Sequence, residues 1–211
     1  FKEVVEKNKK FKTYIGMGYY DCIIPNVIKR NILENPGWYT AYTPYQAEIA
    51  QGRMEALINY QTMVSDLTGM DIANASLLDE GTAASEAMTM FYRLRKGEKK
   101  SAKKFFVSNK TYPQTLDIMK TRSVPLGIEL VIGEVSQFDY SNDFFGILMQ
   151  CPDSGGNIIN PSSVIKKCND RFILSCVCTD LMSLVLFQPP GEYGASAVVG
   201  NSQRFGVPMG Y

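Results

Sequence analysis

The chain has 211 residues, of which 45% are hydrophobic and 20% charged, and its net charge is +1. That is ordinary globular composition with enough apolar residues for one sizeable core, and no global field argues for nucleic acid or an acidic membrane as partner. No apolar run approaches the roughly 18 residues of a membrane helix, and the opening "FKEVVEKNKK" is charged, without the apolar centre of a signal segment.

The chain starts at Phe1 and stops at "GVPMGY" directly behind an apolar strand pattern, so it reads as a piece of something longer, with a processed mature chain as the alternative. The first distinctive stretch is "NPGWYTAYTPYQAEIAQGR", residues 35–53, where Trp38, Tyr39, Tyr42 and Tyr45 crowd a loop just ahead of a helical pattern. Residues 1–50 therefore form an N-terminal segment with aromatic loops, and 51–211 a partial α/β domain. "AEIAQGRMEALINYQTMVSDLTGM" carries a helical stripe through Ile49, Leu57, Ile58, Val64 and Leu67, with Gly69 as its stop. "DIANASLL" reads as a short strand. "DEGTAASEAMTMFYRLRKG" is a Gly-Thr turn running into a helix whose last turn carries Arg93, Arg95 and Lys96, as the helix dipole favours.

Behind it, "KKFFVS" is strand-like and "YPQTLDIMKTRS" helix-like, with Pro in its first turn. "GIELVIG" and "FFGILMQ" read as strands, "NPSSVIKKCND" as a helix and "RFILSCVC" as a strand. "TDLMSLVLF" is a helix or a strand-edge segment, and "ASAVVGNS" a strand. Strands alternating with helices predict an α/β fold with a largely parallel or mixed sheet. The five cysteines are an odd number and argue against a disulfide framework. Cys176 and Cys178 fall on one face of a buried strand. With no histidine in the chain they read as structural thiols rather than metal ligands.

Ligands of such sheets sit at the carboxyl ends of the strands, and three stretches fall there. In "LLDEGTAASEA", Gly81 and Thr82 open a helix whose N–H groups suit a phosphate; an ordinary helix start capped by Asp79 or Thr82 is the plainer reading. In "CVCTDLMSL", Asp180 follows an apolar strand, where a carboxylate can pair with a protonated ring nitrogen, as in pyridoxal phosphate enzymes, or simply cap the next turn. In "VVGNSQRFGVPMGY", Arg204 either binds an anion through its planar fork or is a surface residue in a turn.

Residues 14–88, "YIGMGYYDCIIPNVIKRNILENPGWYTAYTPYQAEIAQGRMEALINYQTMVSDLTGMDIANASLLDEGTAASEAM", resemble the N-terminal half of the glycine-cleavage P-protein family, the decarboxylating glycine dehydrogenases. "PPGEYG" and "GNSQRFGVPMGY" resemble that family's later signatures, so the likeness runs over almost the whole chain. The resemblance implies a truncated large domain of the aspartate-aminotransferase-like fold, fold type I of the pyridoxal-phosphate-dependent transferases. It implies release of CO2 from glycine and transfer of the aminomethyl group to the lipoyl arm of H-protein. It implies two homologous halves, fused or separate, in a homodimer or a heterotetramer. The C-terminal half holds pyridoxal phosphate on a lysine, and the active site lies where the halves meet. The compartment implied is the mitochondrion in a eukaryote, the favoured case, or the cytoplasm in a bacterium.

In this fold the Schiff-base lysine lies downstream of the ring-nitrogen Asp. The last lysine here is Lys167, ahead of Asp180, and the lysine's place falls near Gln203 and Arg204. An amide forms no imine and a guanidinium stays protonated, so this chain does not anchor the cofactor covalently. Gly81, Thr82, Asp180 and Arg204 then read as inherited features, and the fragment alone as inactive. The segments matching "MGYY" and "YTPYQAEIAQGR" face the joint active site in the family, which implies Tyr19, Tyr42, Thr43, Tyr45, Gln46 and Glu48 as lining residues. Their rings and amides would fix a small polar substrate and exclude water; packing between the halves is the alternative role for the aromatics.

The sequence departs from the family at Tyr112, where His is usual, and at Ser196, in a stretch where Asp is usual. It also ends before the family's Gly-Gly-Pro-His continuation, as a truncated sequence would. The alternative to part of a working decarboxylase is a diverged, non-catalytic scaffold half that pairs with a catalytic partner. An unrelated enzyme of the same fold is opposed by the lack of any lysine after Asp180. A piece cut at Tyr211 is expected to expose apolar surface and to aggregate by itself.

Overall fold

The structure is a computed structural model and describes residues 1–9, 11–39, 46–74 and 76–209. Three short helices come first: α1 (Lys2–Val5), α2 (Asn26–Leu33) and α3 (Pro36–Tyr39). None of them buries a residue. Phe11, Tyr14, Ile23 and Leu33 stand in solvent, as do Trp38 and Tyr39. The N-terminal segment thus presents apolar side chains outward instead of building a core of its own.

Helix α4 (Ala47–Thr68) follows, and it stops where the sequence pattern places the stop. Gly69 has φ +69°, the left-handed conformation that glycine adopts without a Cβ penalty. The helix runs across the division at residue 50, and Ala50 sits there at a kink with φ −123° and ψ 29°. The strand expected in "DIANASLL" does not form in the described residues of that stretch. Its apolar side chains find no sheet to pack on: Ile72 is 85% exposed and Leu78 87%.

From there the alternation holds. Helix α5 (Glu80–Leu94) leads to β1 (Lys104–Ser108), α6 (Pro113–Ser123), β2 (Glu129–Gly133), β3 (Phe144–Cys151), α7 (Ser162–Asp170), β4 (Leu174–Asp180) and β5 (Ala197–Asn201). "TDLMSLVLF" supplies only a 3-10 turn at Ser183–Val185, and Val185 and Leu186 remain exposed. The strands form one sheet in the order β2-β1-β3-β4-β5, with every pairing parallel. This is the α/β architecture that the alternation predicts.

Alternating side-chain direction divides the sheet residues between two cores, with one break in β3 between Phe145 and Ile147, where its register with β1 shifts. Phe105, Val107, Phe145, Leu148, Cys176 and Cys178 pack with Ala84, Met88, Phe91 of α5 and Met119 of α6. Phe106, Ile147, Met149 and Val177 pack on the opposite face with Ile165 and Cys168 of α7. β3 and β4 are covered on both faces, which is why they read as continuous apolar runs. All five cysteines are free thiols, and burial pushes Cys168 up to about 12 and raises Cys176 and Cys178 well above the ordinary thiol range, so these three are inert packing groups.

The chain goes from β1 outward to β2, then returns to the other side of β1 as β3. The direction of winding reverses between β1 and β3, and ligands of open parallel sheets bind in the crevice outside the carboxyl ends at such a point. The end of α4 is tied to the segment before β5 by a backbone-to-backbone approach: a Cβ on Gly191 would collide with the Gly69 carbonyl. Gly191→Ala is therefore expected to lower stability by about 3 kcal/mol. Gly52→Ala, at an exposed helical position with open space around it, should instead be neutral or stabilise by up to about 1 kcal/mol. Amide exchange across residues 47–68 in the full-length protein reads both.

Candidate functional site

A small hollow opens at the carboxyl ends of β3, β4 and β5, beside the start of α5. Each strand contributes its last residues because a parallel sheet brings all its carboxyl ends to one edge. β3 supplies Gln150, β4 supplies Thr179 and Asp180, and β5 supplies Asn201. The turn after β5 adds Gln203 and Arg204, and the loop after β1 adds Tyr112. Gly18 and Tyr20, from the N-terminal segment, cover the top.

The centre of the hollow is an ion pair. Arg204 Nε donates to Asp180 Oδ1 at 2.9 Å and Nη2 donates to Oδ2 at 2.7 Å, the two-pronged geometry that suits a planar guanidinium. The two side chains are only 23% and 12% exposed. The carboxylate's bond and charge push the Arg204 guanidinium above its ordinary value, so it is a permanent cation here. Asp180 also accepts from the Met182 N–H at 3.2 Å and so caps the turn behind β4.

Tyr20 closes over the pair. Its ring lies 3.8 Å from the guanidinium carbon, a cation–π contact. The Tyr20 and Tyr112 hydroxyls are hydrogen-bonded at 3.0 Å, and the Tyr20 N–H donates to Gln203 Oε1 at 3.4 Å. Tyr112 is buried, and desolvation together with that bond raises its phenol far above the usual range, so it stays neutral. Gln114 holds the covering segment from the other side by donating to the Met17 carbonyl at 2.8 Å.

The start of α5 is capped from within the chain. Asp79 is the N-cap, and its carboxylate accepts the Thr82 N–H at 2.7 Å. Gly81 is small because α6 packs there: a Cβ on it would lie 2.5 Å from Ile118 Cδ1. Both the cap and the close packing are thus realised. Glu80, next in line, is half-buried, and its Oε1 and the nearby Gln150 Oε1 are sealed from solvent with no hydrogen-bond partner. Desolvation first, then the negative charges of Asp180 and Asp79, raise the Glu80 carboxyl from 4.5 to about 7, against the opposing pull of the Gln150 amide.

Of the residues singled out in the sequence, Asp180 and Arg204 meet in the hollow, Thr82 and Gly81 lie at the helix start beside it, and Tyr19 faces solvent. Gln46, the N-cap residue of α4, and Glu48 in its first turn are exposed. Tyr42, Thr43 and Tyr45 lie outside the described residues. Ser196 is at the other end of the sheet, where its Oγ accepts from the Ser175 N–H at 3.1 Å, so that departure does not touch the hollow. Sequence reasoning missed Tyr20, Glu80 and Gln150, and named Gln203 only as near the place of the family's lysine. Tyr112 was visible only as a departure from the family. A second, larger cleft of about 200 Å³ runs beside the hollow between α4 and β5, and it is lined mainly by apolar side chains such as Val64, Leu77 and Val198. Among the described residues no group of His, Cys, Asp and Glu is arranged to hold a metal.

The fold, with its acidic residue at the end of β4 and helix start beside it, is that of the aminotransferase-like α/β enzymes. An aromatic amino acid aminotransferase aligns over 98% of the chain and 58% of its own at a TM-score of 0.57 and 14% identity, a likeness of fold alone. The chain belongs to the glycine cleavage system P-protein family, whose model matches residues 1–211. It is 57% identical to the glycine dehydrogenase (decarboxylating) of Christiangramia forsetii over 212 aligned residues, which take in 100% of this chain and 22% of that one. It is 56% identical to that of a Synechocystis strain, again over 100% of this chain and 21% of the relative. A crystal structure of glycine decarboxylase (P-protein) in inhibitor-bound form superposes with a TM-score of 0.84 at 28% identity, covering 99% of this chain and 48% of that one. The chain thus spans about a fifth of the length of the curated relatives it matches.

The raised Glu80 carboxyl has a pH signature. Its folded value lies above the unfolded one, so the stability it contributes is fully present below pH 4.5 and is lost as pH rises through about 7. A shift of that size corresponds to roughly 3 kcal/mol. Glu80→Gln should flatten this part of the stability–pH curve while leaving stability at low pH nearly unchanged; denaturation midpoints of both proteins from pH 4 to 8 check it.

Proposed function

We propose that this chain is the N-terminal part of a pyridoxal-phosphate-dependent glycine decarboxylase. The complete enzyme releases CO2 from glycine and passes the aminomethyl group to the lipoyl arm of H-protein. The observation that carries this reading is the family match along the entire chain, at more than half identity to glycine dehydrogenases. The alternative, a scaffold half that has lost its place in an active enzyme, finds less support in that level of identity.

Pyridoxal phosphate, when bound, supplies an electron sink for the bond that releases the carboxyl group. The residues of this chain do not fit it. There is no lysine after Asp180 to bind it covalently, the carboxylate that would pair with a ring nitrogen is taken by Arg204, and the helix start that would meet a phosphate carries the Asp79 carboxylate. We therefore assign the cofactor to the homologous C-terminal half.

The contribution of this chain is to wall the joint active site. Tyr19, Tyr42, Thr43, Tyr45, Gln46 and Glu48 are the residues proposed to face it. Of these, Tyr19, Gln46 and Glu48 are solvent-exposed in this chain by itself, which leaves them available to a site completed by another part of the enzyme. Tyr and Gln side chains orient a small amino acid by hydrogen bonds, and aromatic rings exclude water. The outward apolar residues of α2 and α3 and of their flanks, such as Ile23, Leu33 and Tyr39, offer a surface for the C-terminal half. In this reading the assembly is a homodimer or a heterotetramer, located in the cytoplasm of a bacterium or the mitochondrion of a eukaryote.

Borohydride reduction of the full-length holoenzyme, followed by peptide mapping, tests the assignment. The expected adduct lies on a lysine outside residues 1–211, in a protein that also catalyses glycine-dependent CO2 exchange. A stoichiometric adduct on any lysine of this chain would show the assignment to be wrong.

A further inference from the structure

The Asp180 carboxylate sits at the end of a central strand, in the crevice where ligands of parallel sheets bind, and it is nearly sealed from water. A carboxylate so placed requires a cation. In this chain the cation is built in. The Arg204 fork takes both carboxylate oxygens, and the guanidinium carbon sits over the Tyr20 ring, 3.8 Å from its centre. Tyr20 is in turn tied down by Tyr112 and Gln203. What space is left is about 10 Å³, room for one water at most, where a cofactor-sized ligand occupies a pocket of roughly 300 Å³ or more.

We infer that Arg204 is a resident cation standing in for a ring-protonated ligand at Asp180, and that it both bars pyridoxal phosphate from this site and anchors residues 16–24 over it through Tyr20. The inference rests on the reading that the cofactor belongs to another part of the enzyme, and goes beyond the missing lysine. Loss of the lysine removes the covalent bond but leaves a ring pocket behind; the ion pair removes the pocket. The arginine therefore does for this half what a ligand does elsewhere in the fold: it neutralises the carboxylate and gives the N-terminal segment a surface to close on. Gly18 permits that closure, since it turns with φ +90° directly against the Tyr112 ring.

The test uses the full-length enzyme after borohydride reduction has fixed pyridoxal phosphate on its lysine, so that the covalent site is blocked. Pyridoxamine 5′-phosphate, which forms no Schiff base with lysine, is then titrated in by calorimetry. The wild type should bind no further equivalent at about 1 mM. Arg204→Gly should take up one further equivalent at least tenfold more tightly than the wild type, lose it again when Asp180→Asn is added, and exchange the amides of residues 16–24 at least tenfold faster. Tyr20→Ala, a change in a covering loop, should loosen those amides yet still exclude the ligand, because the ion pair remains. A further equivalent in the blocked wild type that Asp180→Asn abolishes overturns the inference, as does uptake by Tyr20→Ala alone. Those two proteins decide the matter even if Arg204→Gly does not fold, and a folded Arg204→Gly that neither binds nor loosens overturns it as well. Where the borohydride adduct maps tests the cofactor assignment separately.

Discussion

A carboxylate placed at the carboxyl edge of a parallel sheet and shut off from water needs a positive charge, and at Asp180 this chain meets the need with Arg204. The pair joins the end of β4 to the turn that follows β5. Tyr20 packs on it, so the N-terminal segment is held to the sheet edge by contacts that begin at that guanidinium. Without the cation, the carboxylate would be left buried and unpaired beside a second acidic group, Glu80, whose own charge is already disfavoured there. The edge of the sheet is thus organised around one charge balance.

That balance separates two roles that the fold usually combines. The carboxyl edge of the sheet is where such folds place ligands, and here the hollow at the ends of β3, β4 and β5 is lined closely by Tyr112, Gln150, Asp180 and Arg204. The outward face of the same segment is left bare: Tyr19 points to solvent beside the inward Tyr20, and α2 and α3 bury nothing. A closed inner site and an exposed outer surface are what the proposed half-enzyme role asks of this chain.

Much of the fold was legible in the sequence because burial on one or two faces leaves a period. β1, β3 and β4 show as apolar runs, α5 and α6 begin at a cap and a proline, and Gly69 marks the end of α4. "DIANASLL" misled because β-propensity and apolar content are local, whereas a strand forms only where a neighbour pairs with it; Ile72 and Leu78 are exposed instead. The site was legible only in part. Asp180 and Arg204 were each visible as charged residues after strands, but nothing in a sequence shows that side chains 24 residues apart meet. Glu80 reads as an ordinary acidic first-turn residue, and its burial comes from strands far along the chain. Tyr20 and Tyr19 are chemically alike, and in a loop with glycines at positive φ on either side of Met17 no period says which one turns inward.

An experimental structure of the full-length enzyme with pyridoxal phosphate bound decides directly between a filled and a vacated hollow. The expected structure has the cofactor on a lysine outside this chain's residues, with Arg204 still paired to Asp180 through both oxygens and the Tyr20 ring against the guanidinium. A cofactor ring lying in this hollow, its nitrogen on Asp180 and Arg204 turned away, would contradict it.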